Sequence, residues 1–210
     1  MDGDLVDLPI GKLLLKFGAG AHKPGSGSAA ALQGMLSAQL IRTVIVLTCE
    51  ERRRHLYGDH IPQLQEFDTR IQSTIIPSLE MLFQSDSDQF DIVIEKRQAR
   101  EAEENPVEKT ILASLAIEAL QPATEIPVKI GNLCLELARI AAYVFEHGFK
   151  SARGDSGVAL IGALAAAKGS ISIIDLNLLS FGNDQWAQSI RTEADALREA
   201  IEQVSLQATA

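Results

Sequence analysis

The sequence predicts an all-α fold, a single-domain helical bundle around a long buried central helix. Three observations carry this. Aromatic residues are only 5% of the 210 residues, while Ala, Leu, Ile, Glu and Gln are abundant, and most of these favour helices. Apolar residues recur at spacings of three and four, the period of a helix face. Strand-like patterning is strong in one run alone, SISIIDLNLLS.

The elements follow in order. A short helix is predicted from Pro9 to about 17, with Asp7 close to its N-cap. A loop follows over residues 18 to 27. The segment from Ser28 to about 53 holds no proline and one glycine, Gly34. Leu32, Leu36, Leu40, Val44 and Leu47 fall on one side, and Met35, Ala38, Ile41 and Ile45 on another. A helix that is apolar all round is a buried one. After YGDHIP, the stripe Leu64, Phe67, Ile71, Ile75, Leu79 and Leu82 marks another helix, with Pro77 inside as a kink. It runs on into an exposed charged stretch, EKRQAREAEENP. Pro106 restarts a helix to about 120, Pro122 and Pro127 punctuate a junction, and residues 128 to 146 read as a further apolar-rich helix. A loop, EHGFKSARGDSG, precedes an alanine-rich helix over about 156 to 168. SISIIDLNLLS reads as a strand. A last helix, about 184 to 206, places Trp186, Ile190, Ala194, Leu197, Ile201 and Val204 on one face. The sum is roughly seven or eight helices and at most one or two strands, in one domain spanning 1–210.

The formal net charge of −9 argues against nucleic acid as a partner, because binding phosphate chains needs a basic surface. Cys49 and Cys134 read as reduced core thiols. The acidic start MDGDLVDLP is unlike a signal peptide, and the apolar run over 36 to 47 is interrupted by Gln39 and Arg42 and short for a bilayer. A cytoplasmic protein with no membrane partner is expected. There is no Cys/His ligand cluster for a metal.

The stretch GAHKPGSGSAAALQGMLSAQLIRTVIVLTCEE, residues 20 to 51, admits three readings. Gly25 to Ala30 fits the G-x-G-x-x-A dinucleotide fingerprint, with Glu50 and Glu51 at about the right distance. No breaker separates helix from second strand, however, and the chain offers no parallel sheet. A Walker loop fails because Lys23 precedes the glycines. The third reading is a glycine loop that brings a helix N-terminus, capped by Ser28, to an anionic ligand, with His22 and Lys23 adding charge. A plain capped helix with glycines for close packing fits the same residues.

KPGSGSAAALQGMLSAQLIRTVIVLT resembles the P-G-G-G-S-x-A-A opening of the cyclodeaminase/cyclohydrolase family. That family contains the cyclodeaminase domain of formiminotransferase-cyclodeaminase and bacterial methenyltetrahydrofolate cyclohydrolases. DSDQF, Asp86 to Phe90, resembles its D-x-x-A-F segment. AIEALQPATEIPVKI resembles its A-[IL]-Q-x-x-L-x-x-A-x-x-V-P-L helix and turn. RGDSGVALIGALAAAKGSISIIDLNLLSFGNDQW is similar to R-S-D-x-x-V-A with the glycine-containing helix and x-N-[IL]-x-x-[IL]-x-D-x-x-[FW] segment that follow. The likeness covers nearly the whole chain, in order.

The resemblance implies an all-α homodimer acting on one-carbon tetrahydrofolates, with no metal or redox cofactor. It would either close 5-formiminotetrahydrofolate with loss of ammonia or add water to the methenyl form. Both routes pass through a tetrahedral carbon between two nitrogens and need proton transfer. Asp155 matches the aspartate of the S-D motif and is the expected acid/base, the alternative being a helix cap. Gly25, Ser26, Gly27 and Ser28 match the glycine loop and would bind ligand through backbone N–H groups. Lys23 or Arg153 would pair with the glutamate tail. Asp86 matches a family acid and would bind substrate, the alternative being helix-surface charge; Asn177 would orient ligand or serve a turn; and His22, the nearest titrating group, is a second catalytic candidate. His55, His60 and His147 read as surface or loop residues. The chain departs from the pattern at Ser26, where a Cβ would restrict positive φ and crowd a ligand, and at Gly154, where a serine is usual. HK replaces the small or Thr-Pro residues before the loop. A diverged member that binds something other than folate, or regulates, is the alternative.

Overall fold

The computed structural model describes residues 4 to 208, so both ends of the expected domain, 1–3 and 209–210, lie outside the described residues. All regular structure among them is helical. The α-helices are α1 (Ile10–Phe17), α2 (Ser26–Thr48), α3 (Arg54–Tyr57), α4 (Ile61–Arg70), α5 (Ile76–Ala102), α6 (Pro106–His147), α7 (Arg153–Leu178) and α8 (Gln185–Ala208). Helices α2, α6 and α7 pack on one another, α5 packs on α2 and α6, and α8 lies across α6 and α7.

At the start of α1, Pro9 and not Asp7 holds the N-cap position; Asp7 ends a preceding 3-10 turn. Helix α2 begins two residues before the expected Ser28, with Gly25 as its N-cap, and ends at Thr48. Its Ala31, Ala38, Ile41 and Val44 are fully buried, but Leu36 and Val46 are exposed, so one face is left open. At Gly34, α2 passes close to both α6 and α5: a Cβ there would lie 2.8 Å from Cys134 Sγ and 3.1 Å from a Leu79 methyl. Pro77 sits just inside the start of α5, after a π turn over Ile71–Ile75. The wider turn takes up the break that proline imposes.

Two further expectations are overturned. Pro122 and Pro127 do not divide helices; they lie inside the 42-residue α6. A proline in a helix interior costs about 3 kcal/mol, and here tertiary packing outweighs it. Ala123, Thr124, Ile126 and Val128 around them are buried. The Thr124 hydroxyl donates to the Leu120 carbonyl at 2.7 Å, and the Gln89 side-chain amide donates to the Ala119 carbonyl at 3.1 Å. SISIIDLNLLS is not a strand but the last turns of α7 and the turn after it. Ile171, Ile174 and Leu178 are buried at helical spacing, so packing overrides the β-branched preference. Helix α7 also starts earlier than expected, at Arg153.

Helix α8 is capped by Asp184, whose carboxylate accepts from the Ala187 N–H at 2.7 Å. Its Leu197, Ile201 and Val204 join the main core, while Ile190 and Ala194 join a second cluster with Val93, Leu120 and Ile174. Cys49 and Cys134 are free thiols. His60 and His147 are half-buried rather than loose: their rings stack with centroids 4.2 Å apart, and His60 Nδ1 lies 3.0 Å from the Tyr143 hydroxyl. By length and composition alone, α2 and the segment Lys150–Leu178 would suffice to cross a bilayer, yet roughly half of each is buried among the other helices.

Candidate active site

A helix N-terminus leaves its first N–H groups without partners inside the helix. Gly25, the N-cap of α2, has no side chain to meet them. The partner comes from α5 instead. Asp86 Oδ2 accepts from the Ser28 N–H at 2.7 Å and lies 2.9 Å from the Ser28 hydroxyl. That hydroxyl also lies 3.0 Å from the Phe83 carbonyl oxygen. Ser28 is therefore no N-cap; it stands inside the first turn and links two helices. Gly27 makes this approach possible. A Cβ on it would fall 2.0 Å from Asp86 Oδ1 and 2.5 Å from Cγ.

The Asp86 carboxyl is raised above its ordinary value because burial disfavours its charge, with the Ser28 hydrogen bonds opposing. The Ser28 hydroxyl is shared among the Phe83 carbonyl, Asp86 Oδ2 and, at 3.3 Å, the Ser87 hydroxyl.

Asp86 lies on the wall of a cleft of about 530 Å³. His22, Gly25 and Ser26 form one lip and Asn177, in the last turn of α7, faces them; Phe90, Ile173 and Leu176 supply apolar wall. Ser26 fits without strain, because positive φ occurs only at Gly20 and at no other described residue. The expected restriction of positive φ at Ser26 is thereby corrected. His22 Nε2 lies 2.6 Å from Asp91 Oδ1, and Lys23 pairs with the other oxygen of the same carboxylate. Burial raises the Asp91 carboxyl, but the hydrogen bonds from Lys23 and His22 outweigh it and leave it below its ordinary value.

The other expected residues lie elsewhere. Lys23 borders a separate hollow with Gln84 and Asp88. Asp155 is in the first turn of α7 and Asn177 in its last, a separation of about 33 Å at 1.5 Å per residue. Arg153 shares the far end: its Nε donates to the Phe145 carbonyl at 3.0 Å, and its guanidinium covers the Phe145 ring. Within one chain, neither reaches the glycine loop. A Cβ at Gly154 would meet nothing within 4 Å, so a serine would fit there too, remote from the cleft. Among the described residues, no group of three or more His, Cys, Asp or Glu is placed to hold a metal ion.

Sequence reasoning missed Arg97, which lines the cleft beyond Phe90. Asp86, Phe90 and Arg97 stand four and seven residues apart on α5, which puts them along one face. The spacing was visible, but the charged run around Arg97 reads as solvated surface.

The all-α chain that presents this cleft has relatives among known proteins. Residues 9–196 match the family model described as formiminotransferase-cyclodeaminase. The chain belongs to this family. It is 27% identical over 188 residues to the methenyltetrahydrofolate cyclohydrolase of Methylorubrum extorquens, covering 86% of this chain and 88% of that one. The fold superposes on the crystal structure of formiminotetrahydrofolate cyclodeaminase from Thermotoga maritima with a TM-score of 0.83 at 17% identity, covering 97% of this chain and 95% of that one.

Proposed function

We propose that the protein converts a one-carbon tetrahydrofolate, as a methenyltetrahydrofolate cyclohydrolase or a formiminotetrahydrofolate cyclodeaminase, with Asp86 as its acid/base. The observation that carries this is the buried Asp86 carboxyl, held by Ser28 at the start of α2 in the wall of the cleft. A carboxyl held at the wall of a cleft is placed to accept a proton and to return it. In the cyclohydrolase reaction, Asp86 accepts a proton from water as the C–O bond forms at the methenyl carbon. It returns that proton to the nitrogen as the C–N bond breaks, and the hydroxyl proton leaves to solvent. In the cyclodeaminase reaction, the formimino group reacts as its amidinium cation; Asp86 takes the proton of the attacking nitrogen and delivers it to the amino group, which leaves as ammonia. No metal or redox cofactor takes part in either scheme. His22 at the lip and Asn177 opposite would orient the ring, and the α2 loop would contact it.

The acid/base role expected of Asp155 passes to Asp86 because Asp155 lies at the other end of α7. The test follows loss of methenyltetrahydrofolate absorbance, and its gain from 5-formiminotetrahydrofolate, with wild type, Asp86→Asn and Asp155→Asn. Asp86→Asn is expected to lower kcat by about 10²- to 10⁴-fold, the usual worth of a general acid/base, while Asp155→Asn retains turnover. An inactive wild type, or loss of activity in Asp155→Asn alone, refutes the assignment. A homodimer is part of the proposal. Leu36 and Val46 on α2 and Val158 and Ile161 on α7 are all exposed on two helices that pack together, and a second copy would cover them. Light scattering checks it.

A further inference from the structure

Arg97 is half-buried and lines two adjoining hollows, the cleft of about 530 Å³ and a second of about 410 Å³, with Ser180 the other residue common to both. It has no hydrogen bond or ion pair to another described residue. The other half-buried arginines are engaged. Arg42 meets Asp68 at 2.9 Å, Arg53 meets Glu50 at 2.9 Å, Arg191 donates to the carbonyls that close the turn after α7, and Arg198 meets Asp175 at 3.0 Å. Glu101, one turn beyond Arg97, is held by Arg100 at 3.4 Å. A guanidinium turned into an apolar cleft without a carboxylate of its own is a ready partner for an anion, which its planar fork can bind in two-point fashion.

We infer that Arg97 is the anion-recognition residue of the site, pairing with a carboxylate at the tail of a ligand whose reacting end lies at Asp86. The inference rests on the folate reading above and adds the direction in which the substrate lies. Asp86 and Arg97 are eleven positions apart on one helix face, about 16 Å along α5. Phe90 lies between them as an apolar platform. The cleft therefore suits an elongated molecule with a ring at one end, an apolar middle and a carboxylate at the other. Lys23 and Arg153, the cations expected to hold the tail, are engaged by Asp91 and by the Phe145 carbonyl.

The experiment measures binding apart from turnover. Calorimetry with p-aminobenzoylglutamate and with p-aminobenzoate compares a tailed and an untailed fragment, on wild type, Arg97→Ala and Arg97→Lys. Arg97→Ala is expected to weaken the tailed fragment by about 10- to 100-fold, the worth of one charge-assisted pair. The untailed fragment is unchanged, and Arg97→Lys recovers part of the loss. With methenyltetrahydrofolate, Arg97→Ala raises KM by a similar factor and leaves kcat nearly intact. Equal binding of the tailed fragment by wild type and Arg97→Ala, or equal weakening of both fragments, overturns the inference. Arg97-dependent tail binding without folate turnover supports Arg97 and refutes the activity. Turnover indifferent to Arg97 does the reverse. A wild type that binds neither fragment overturns the inference too.

Discussion

Replacing Gly27 with alanine probes the contact on which the site is built. The new Cβ would stand 2.0 Å from Asp86 Oδ1 and 2.5 Å from Cγ. Rotating the carboxylate about its last bond does not relieve the second distance, so the whole group must retreat by about 1 Å to reach ordinary van der Waals contact. Its 2.7 Å bond to the Ser28 N–H is then lost. An unpaired buried N–H costs about 1–3 kcal/mol, and removing charge from a helix start adds a few tenths. Alanine returns up to about 1 kcal/mol of helix propensity. The net expectation is a destabilisation of about 1–2 kcal/mol. The decisive assay is a double-mutant cycle in urea. With Asp86→Ala present the clash has no partner, and Gly27→Ala becomes neutral or mildly stabilising. An equal loss in both backgrounds would show that Asp86 is not what requires glycine at position 27.

Three further predictions are independent of that cycle. Burial raises Asp86, so the acid limb of the kcat/KM profile is expected at a pH above the ordinary aspartate value of 3.8. The same shift destabilises the native state as pH rises through Asp86's folded value, because the folded chain there holds the extra proton. Asp86→Asn should therefore gain stability relative to wild type toward neutral pH in denaturant titrations; a constant difference at all pH values refutes the shift. Burial also pushes the Cys134 thiol up to about 12. Native Cys49→Ser protein should thus fail to react with a thiol reagent until unfolded, and immediate labelling would contradict the burial.

Much of the fold was legible because helix faces repeat locally. The stripe on α8 is buried as the spacing of Ile190, Ala194, Leu197, Ile201 and Val204 requires. What misled was local chemistry overridden by distant neighbours. Ile171 and Ile174 favour strands, and Pro122 and Pro127 favour breaks, yet all four are held in helices by partners far along the chain. The site was half legible. The glycine loop, Asp86, His22 and Asn177 do meet at one cleft. Their arrangement was hidden, because nothing near Gly25 in sequence says that its missing cap arrives from position 86. Arg97 was hidden differently: charge alone does not reveal which side of α5 faces solvent.

The borrowed cap also bears on how the molecule opens. Most helix starts are closed by a neighbour in sequence and fray on their own. The first turn of α2 is closed by a residue 58 positions away. Its amide cannot be protected until α5 has docked. Hydrogen exchange at Ser28 should therefore follow the separation of α2 from α5, a subglobal event, and not the local fluctuation expected of a chain segment next to a glycine loop.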